Sequence, residues 1–62
     1  MYIAWYYHDF SSGYYYYTES YTMSVTEFAE KVSKILGRTI TAADTSAASR
    51  KDDLKKPNLI HI

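Results

Sequence analysis

The chain has 62 residues, no cysteine and a formal net charge of zero, with eight tyrosines among its aromatics. So short a chain forms one domain at most and buries only roughly 60% of the surface its unfolded form exposes, so a small fold of this kind usually has outside help. Disulfides and thiolate metal sites are excluded, and two histidines, His8 and His61, are too few for a zinc site, which leaves oligomerisation or docking onto a partner.

The first third is the most distinctive stretch. Residues 1–23 hold all eight tyrosines, the single tryptophan and one of the two phenylalanines. Two runs of strand formers, Met1 to His8 and Tyr14 to Thr22, flank Asp9-Phe10-Ser11-Ser12-Gly13, and the pattern predicts a β-hairpin over 2–22. A three-residue loop Ser11-Ser12-Gly13 suits a type I turn closed by a left-handed glycine. In that register Phe10 faces Tyr14, and Glu19 falls opposite Trp5. Ile3, Trp5, Tyr7, Tyr15, Tyr17 and Tyr21 then share the core face, and Tyr2, Tyr6, Phe10, Tyr14 and Tyr16 share the other. A two-residue Ser12-Gly13 turn would slide one strand by a residue and exchange its faces, which puts serines beside Trp5 and makes a poorer core.

Residues 24–36 predict an amphipathic helix. Ser24-Val25-Thr26-Glu27 is a capping box, Met23 and Phe28 are spaced for a hydrophobic staple, and Gly37 is a left-handed stop. Val25, Phe28, Ala29, Val32, Ile35 and Leu36 form one apolar stripe. Residues 38–43 return to β-branched side chains and predict a third strand. Residues 44–56 read either as a charged loop or as a short helix capped by Asp44 and closed by Pro57. Residues 58–62 alternate as a last strand, with Ile60 and Ile62 toward the core. The expected fold class is α+β: a small antiparallel sheet, made of the N-terminal hairpin and one or two further strands, packed on one face by a single helix.

Charge is uneven along the chain. Residues 1–30 carry Asp9, Glu19, Glu27 and Glu30 with no Lys or Arg, giving −4; residues 31–62 carry seven basic residues against Asp44, Asp52 and Asp53, giving 7 − 3 = +4. Such a dipole would orient an encounter with a partner.

One helix can cover only one side of a sheet. The second aromatic face, Tyr2, Tyr6, Phe10, Tyr14 and Tyr16, is therefore the candidate partner-binding surface, because exposed aromatic patches of this kind are usually used. The expected partner is a protein, either a foreign target or a second copy that buries the tyrosines on itself. Tyrosine ladders that merely stabilise a small sheet are the plainer account of the same residues. Stacking of single-stranded nucleic acid on these aromatics is the alternative function. It would draw its cations from Arg38 and from Arg50, Lys51, Lys55 and Lys56, a cluster interrupted by Asp52 and Asp53. Zero net charge weakens that alternative. Residues 41–56 behind the helix make a poor helix-turn-helix, because the connection reads as a strand and the second element carries two acids.

Nothing in the sequence points to catalysis. His8 and Asp9 are adjacent in a strand and so point to opposite faces. Ser11-Ser12-Gly13 is a turn, and no Gly-x-Ser-x-Gly elbow or phosphate-binding glycine loop is present. No enzyme activity, cofactor, metal or small-molecule substrate is expected. No apolar run approaches the ~20 residues of a membrane helix, and there is no signal-peptide pattern at Met1, so the chain is expected to be a complete, cytoplasmic protein. No motif assigns a family. In size and architecture the expected fold is similar to phage- or mobile-element-encoded inhibitors that bind a host protein complex, such as anti-restriction and anti-CRISPR proteins; this is an analogy of shape alone.

Overall fold

The computed structural model describes residues 4–20, 22–48 and 57–62. In chain order these form strands β1 (Trp5–Asp9) and β2 (Tyr14–Thr18), helix α1 (Val25–Leu36), a single 3-10 turn (Ala42–Asp44), and strands β3 (Ser46–Ala47) and β4 (Leu59–His61). The sheet order is β3-β1-β2-β4. β1 runs antiparallel to both β2 and β3, whereas β4 runs parallel to β2. The fold is therefore α+β, one helix on a four-stranded sheet, and the expectation of a purely antiparallel sheet is corrected to a mixed one.

The helix begins and ends where its residues require. Ser24 is extended and its hydroxyl accepts from the Glu27 N–H at 3.1 Å; Gly37 is left-handed (φ 70°) and its N–H donates to the Ser33 carbonyl at 2.8 Å. Phe28, Ala29 and Val32 are buried, and Phe28 and Val32 pack with Tyr16 and Ile40. Trp5, Tyr7, Met23, Leu36, Ile60 and Ile62 close around that centre. Met23 thus meets the core as the staple requires, and the Trp5 indole N–H fastens it by donating to the Met23 carbonyl at 3.0 Å. Ile35 departs from the expected stripe: it is 52% exposed, because Ala29 rather than Ile35 shares the buried flank with Phe28 and Val32.

The expected strand at 38–43 does not form. After Gly37 the chain is held by side chains instead of a ladder. The Ile40 N–H donates to the Ser33 hydroxyl at 2.7 Å, and that hydroxyl also bonds to the Ala29 carbonyl at 2.7 Å. Ile40 is thereby pinned into the core from the helix itself. Then Thr41 donates both its N–H and its hydroxyl to Asp44 Oδ2, each at 2.9 Å, which closes the 3-10 turn. These bonds hold the Asp44 carboxyl below the usual carboxylate range. The third strand comes later and is only two residues long, Ser46–Ala47. The expected helix or loop at 44–56 otherwise lies outside the described residues from 49 onward. The C-terminal strand forms as expected and is bracketed by two bonds to β2, Tyr15 N–H to the Asn58 carbonyl (3.1 Å) and Ile62 N–H to the Tyr17 carbonyl (2.7 Å). Asn58 enters it with φ 58°, a conformation asparagine tolerates better than most residues.

The hairpin register differs from expectation, and the difference matters for function. Trp5 faces Thr18, Tyr7 faces Tyr16 and Asp9 faces Tyr14, so the loop has four residues, Phe10 to Gly13. Gly13 is left-handed (φ 78°) as expected, but its N–H reaches back to the Asp9 carbonyl at 2.8 Å rather than to Phe10. Nothing lies within 4 Å of where a Gly13 side chain would start, so glycine is required there by conformation and not by space. The slide of one residue turns β2 over. Tyr16 and Thr18 now point to the helix side, and Tyr15 and Tyr17 point away from it. Tyr16 is 4% exposed and Thr18 1%. Burial, then the nearby Asp9 carboxylate, raises the Tyr16 phenol above its ordinary pKa, so it stays neutral and protonated.

Candidate interaction face

The hairpin tip is built around Asp9. Its side chain is almost wholly buried at the end of β1 and gathers three donors: Ser12 Oγ at 2.6 Å, Ser11 Oγ at 2.8 Å and Arg38 Nη2 at 2.8 Å. The two serine hydroxyls first, and the Arg38 guanidinium after them, hold the Asp9 carboxyl below its ordinary value against the opposing effect of burial. Arg38 also donates to the Tyr7 hydroxyl at 3.2 Å. The turn is therefore fixed from two sides, by its own serines and by the residue just past the helix. Phe10 stands on this fixed base and is 85% exposed.

Behind the tip runs the sheet face opposite the helix. The pairings Tyr6↔Tyr17 and His8↔Tyr15, continued by Tyr15↔Leu59 and Tyr17↔His61, place these six side chains on it together. The rings are in contact. His8 lies flat on Tyr15, with centroids 3.9 Å apart and planes 3° off parallel, and Phe10 tilts against His8 at 4.1 Å. Tyr17 tilts against His61 at 4.9 Å. Ala48 is buried against Tyr6 and Tyr17 at the β3 side. Among the described residues no helix or strand lies across this face. Tyr6, His8, Tyr15 and Tyr17 are half-buried, and Leu59 and His61 are exposed.

The candidate residues divide as follows. Tyr6 lies on this face and Phe10 at its tip, as expected. Tyr16 does not: it is a core residue under α1, because the four-residue loop reverses β2. Tyr14 lies at the start of β2 on the side of Asp9, 41% exposed. Tyr2 and the basic cluster Arg50, Lys51, Lys55 and Lys56 lie outside the described residues. The residues of this face that the sequence reading missed are Tyr15 and Tyr17, with His8, Leu59 and His61 beside them. One sign was present: the three-residue loop sets Glu19 opposite Trp5, on the face meant for the core, where an unpaired carboxylate is costly. The observed register sets Thr18 there and leaves Glu19 exposed.

Between the tip and β3 the face deepens into a groove of about 310 Å³, lined by Tyr6, His8, Phe10, Tyr15, Asp44 and Ser46 among others. A second and more open depression, about 530 Å³, lies at the end of α1 beside Lys34, Arg38 and Thr39. Among the described residues no three His, Asp or Glu side chains gather as a metal site, and no helix is long and apolar enough to cross a membrane. Compared with models of protein families, with curated proteins and with solved structures, the chain has no match.

Proposed function

We propose that this chain is a non-enzymatic protein-binding module that docks through the sheet face opposite the helix. The observation that carries the reading is two clusters of aromatics in ring contact, Phe10–His8–Tyr15 and Tyr17–His61, on one face that no helix or strand among the described residues crosses. Aromatic side chains of this kind dominate interface energetics because they bring large, stiff contact area with few rotors to freeze. The tip supports the same reading, since the Asp9 network fixes the loop that carries Phe10, and Phe10 rests against His8 while 85% exposed. Possible nucleophiles and bases are used otherwise: the Ser11 and Ser12 hydroxyls donate to a carboxylate, and His8 and Asp9 point to opposite faces.

The test compares wild type with Tyr15→Ser/Tyr17→Ser and with Phe10→Ser, by pull-down from the native host beside light scattering and circular dichroism. Loss of the captured protein, or of self-association, with the fold intact is the expected result. Undiminished capture by both folded variants would remove the face from consideration. Binding that weakens steeply with salt and is competed by single-stranded oligonucleotide would instead assign the aromatics to base stacking.

A further inference from the structure

The sheet has two outer edges, β3 and β4, and they differ. β3 is two residues long, and so short an edge offers little to pair with. The ladder from β4 to β2 runs from the Asn58 carbonyl to the Ile62 N–H. Along a strand, successive residues turn their backbone groups to opposite sides. With the Asn58 carbonyl and the Ile62 N–H on β2, Ile60 also faces β2, and the N–H and C=O of Leu59 and His61 point outward. Among the described residues no hydrogen bond engages these outward groups. Both residues are exposed. β4 also lacks the devices that blunt an edge: it has no charged Lys, Arg, Asp or Glu and no proline, since Pro57 and the left-handed Asn58 stand before it.

That edge is complementary to itself. When two β4 strands run antiparallel about a twofold axis at Ile60, Leu59 stands opposite the second copy's His61, and His61 opposite its Leu59. Each pair exchanges two N–H to C=O bonds, so every outward group of both strands finds a partner. Sliding by two residues one way sets His61 against His61 and leaves Leu59 unpaired. Sliding the other way sets His61 against Pro57, which has no N–H to give. The symmetric register also matches side chains. Ile60, which packs on the buried cluster under α1, meets its own copy in the closely spaced kind of cross-strand pair. Leu59, 38% exposed, gains the second copy's His61 as its neighbour on the opposite face. Zero net charge sets up no overall repulsion between copies. We propose that β4 is a self-pairing edge, at which two copies of this chain join their sheets into one across a twofold axis at Ile60. This goes beyond the docking face proposed above, which stays open in both copies and is extended from one to the other.

So short a seam belongs with weak contacts, and the test spans roughly 0.01–1 mM of the full chain. Sedimentation equilibrium should show the mass rising from one chain toward two and no further. Over the same range, hydrogen exchange read by NMR should slow about tenfold at the Leu59 and His61 amides, while the Ile60 amide, which faces β2, stays protected throughout. His61→Pro removes one outward N–H and none that faces β2, so it should remain a single chain. Phe10→Ser, away from the edge, should pair as wild type does. The wild-type exchange pattern decides alone if His61→Pro fails to fold. A mass fixed at one chain, growth past two, or pairing that leaves the Leu59 and His61 amides as fast as in dilute solution would overturn the proposal. Pairing lost in Phe10→Ser but kept in folded His61→Pro would overturn it in favour of a second copy on the aromatic face. The docking face fails separately, only if the folded Tyr15/Tyr17 and Phe10 variants keep their captured protein.

Discussion

The two faces of the sheet are made from the same composition and do opposite things. Tyr16 and Tyr15 are neighbours in one strand. Tyr16 is buried with Phe28 and Val32 under the helix, whereas Tyr15 stacks on His8 on the side that no described helix or strand covers. Tyrosine serves in both places because its ring is apolar and its hydroxyl is polar, so composition alone cannot assign a tyrosine to core or surface. What separates the two is alternation along the strand, and alternation is only as good as the register. The contrast also separates two kinds of packing: the helix side gathers the buried cluster of Tyr16, Phe28, Val32 and Ile40, and the far side gathers half-buried aromatic pairs.

The largest expected effect lies at the centre of the helix side. Phe28→Ala should cost about 3–5 kcal/mol. A domain of this length has roughly 3–9 kcal/mol in total, so the variant should lose a large part of its stability, read as a urea midpoint far below wild type or the absence of a folded baseline at 25 °C. Tyr17→Ser on the opposite face should cost about 1 kcal/mol or less. Equal losses in urea melts of the two would mean the faces are not divided as described.

Next is the Asp9 network, which joins the hairpin tip to the end of the helix. Asp9 has its carboxyl pKa lowered in the folded chain, so ionised Asp9 contributes stability above the ordinary carboxylate value of 3.8, and that contribution is lost as pH falls through the folded value. Asp9→Asn should therefore lower the urea midpoint at pH 7, and the gap from wild type should close as the solution is acidified. Asp44 shifts in the same direction but is unchanged in the variant, so the difference isolates Asp9. A gap that stays constant down to low pH would show that the charge of Asp9 is not what fixes the tip.

The smallest effect is local to the helix start. Ser24→Ala removes the acceptor for the Glu27 N–H and should cost about 1 kcal/mol in urea melts. It should leave the aromatic contacts of the far face unchanged by NMR. A change there would mean the two sides are coupled through the sheet.

Much of the fold was legible because its signals are local. The helix start at Ser24 and stop at Gly37 each act within a turn of chain, and the paired strands announce themselves by dense aromatics around a glycine. The one-sided stripe of the helix likewise implied a second sheet face beyond its reach, and no helix or strand among the described residues crosses that face. The candidate site was legible in part: Tyr6 and Phe10 are where alternation along β1 puts them, and Tyr16 is not. The strand expected at 38–43 failed for a related reason, since Ser33, seven residues upstream of Ile40, supplies the bond that a strand neighbour would have given.

By itself, the sequence determined the helix after Ser24, its limits, a hairpin and more aromatics than that helix can cover. Only the tertiary structure decided which aromatics are surplus. Arg38 meets Asp9 across 29 positions of sequence, and together with Ser11 and Ser12 it holds a four-residue loop. That loop length sets the register, and the register turns every side chain of β2 to one face or the other. A contact so distant in sequence leaves no periodic mark, because the carboxylate and its guanidinium are paired by the packed fold and not by spacing along the chain.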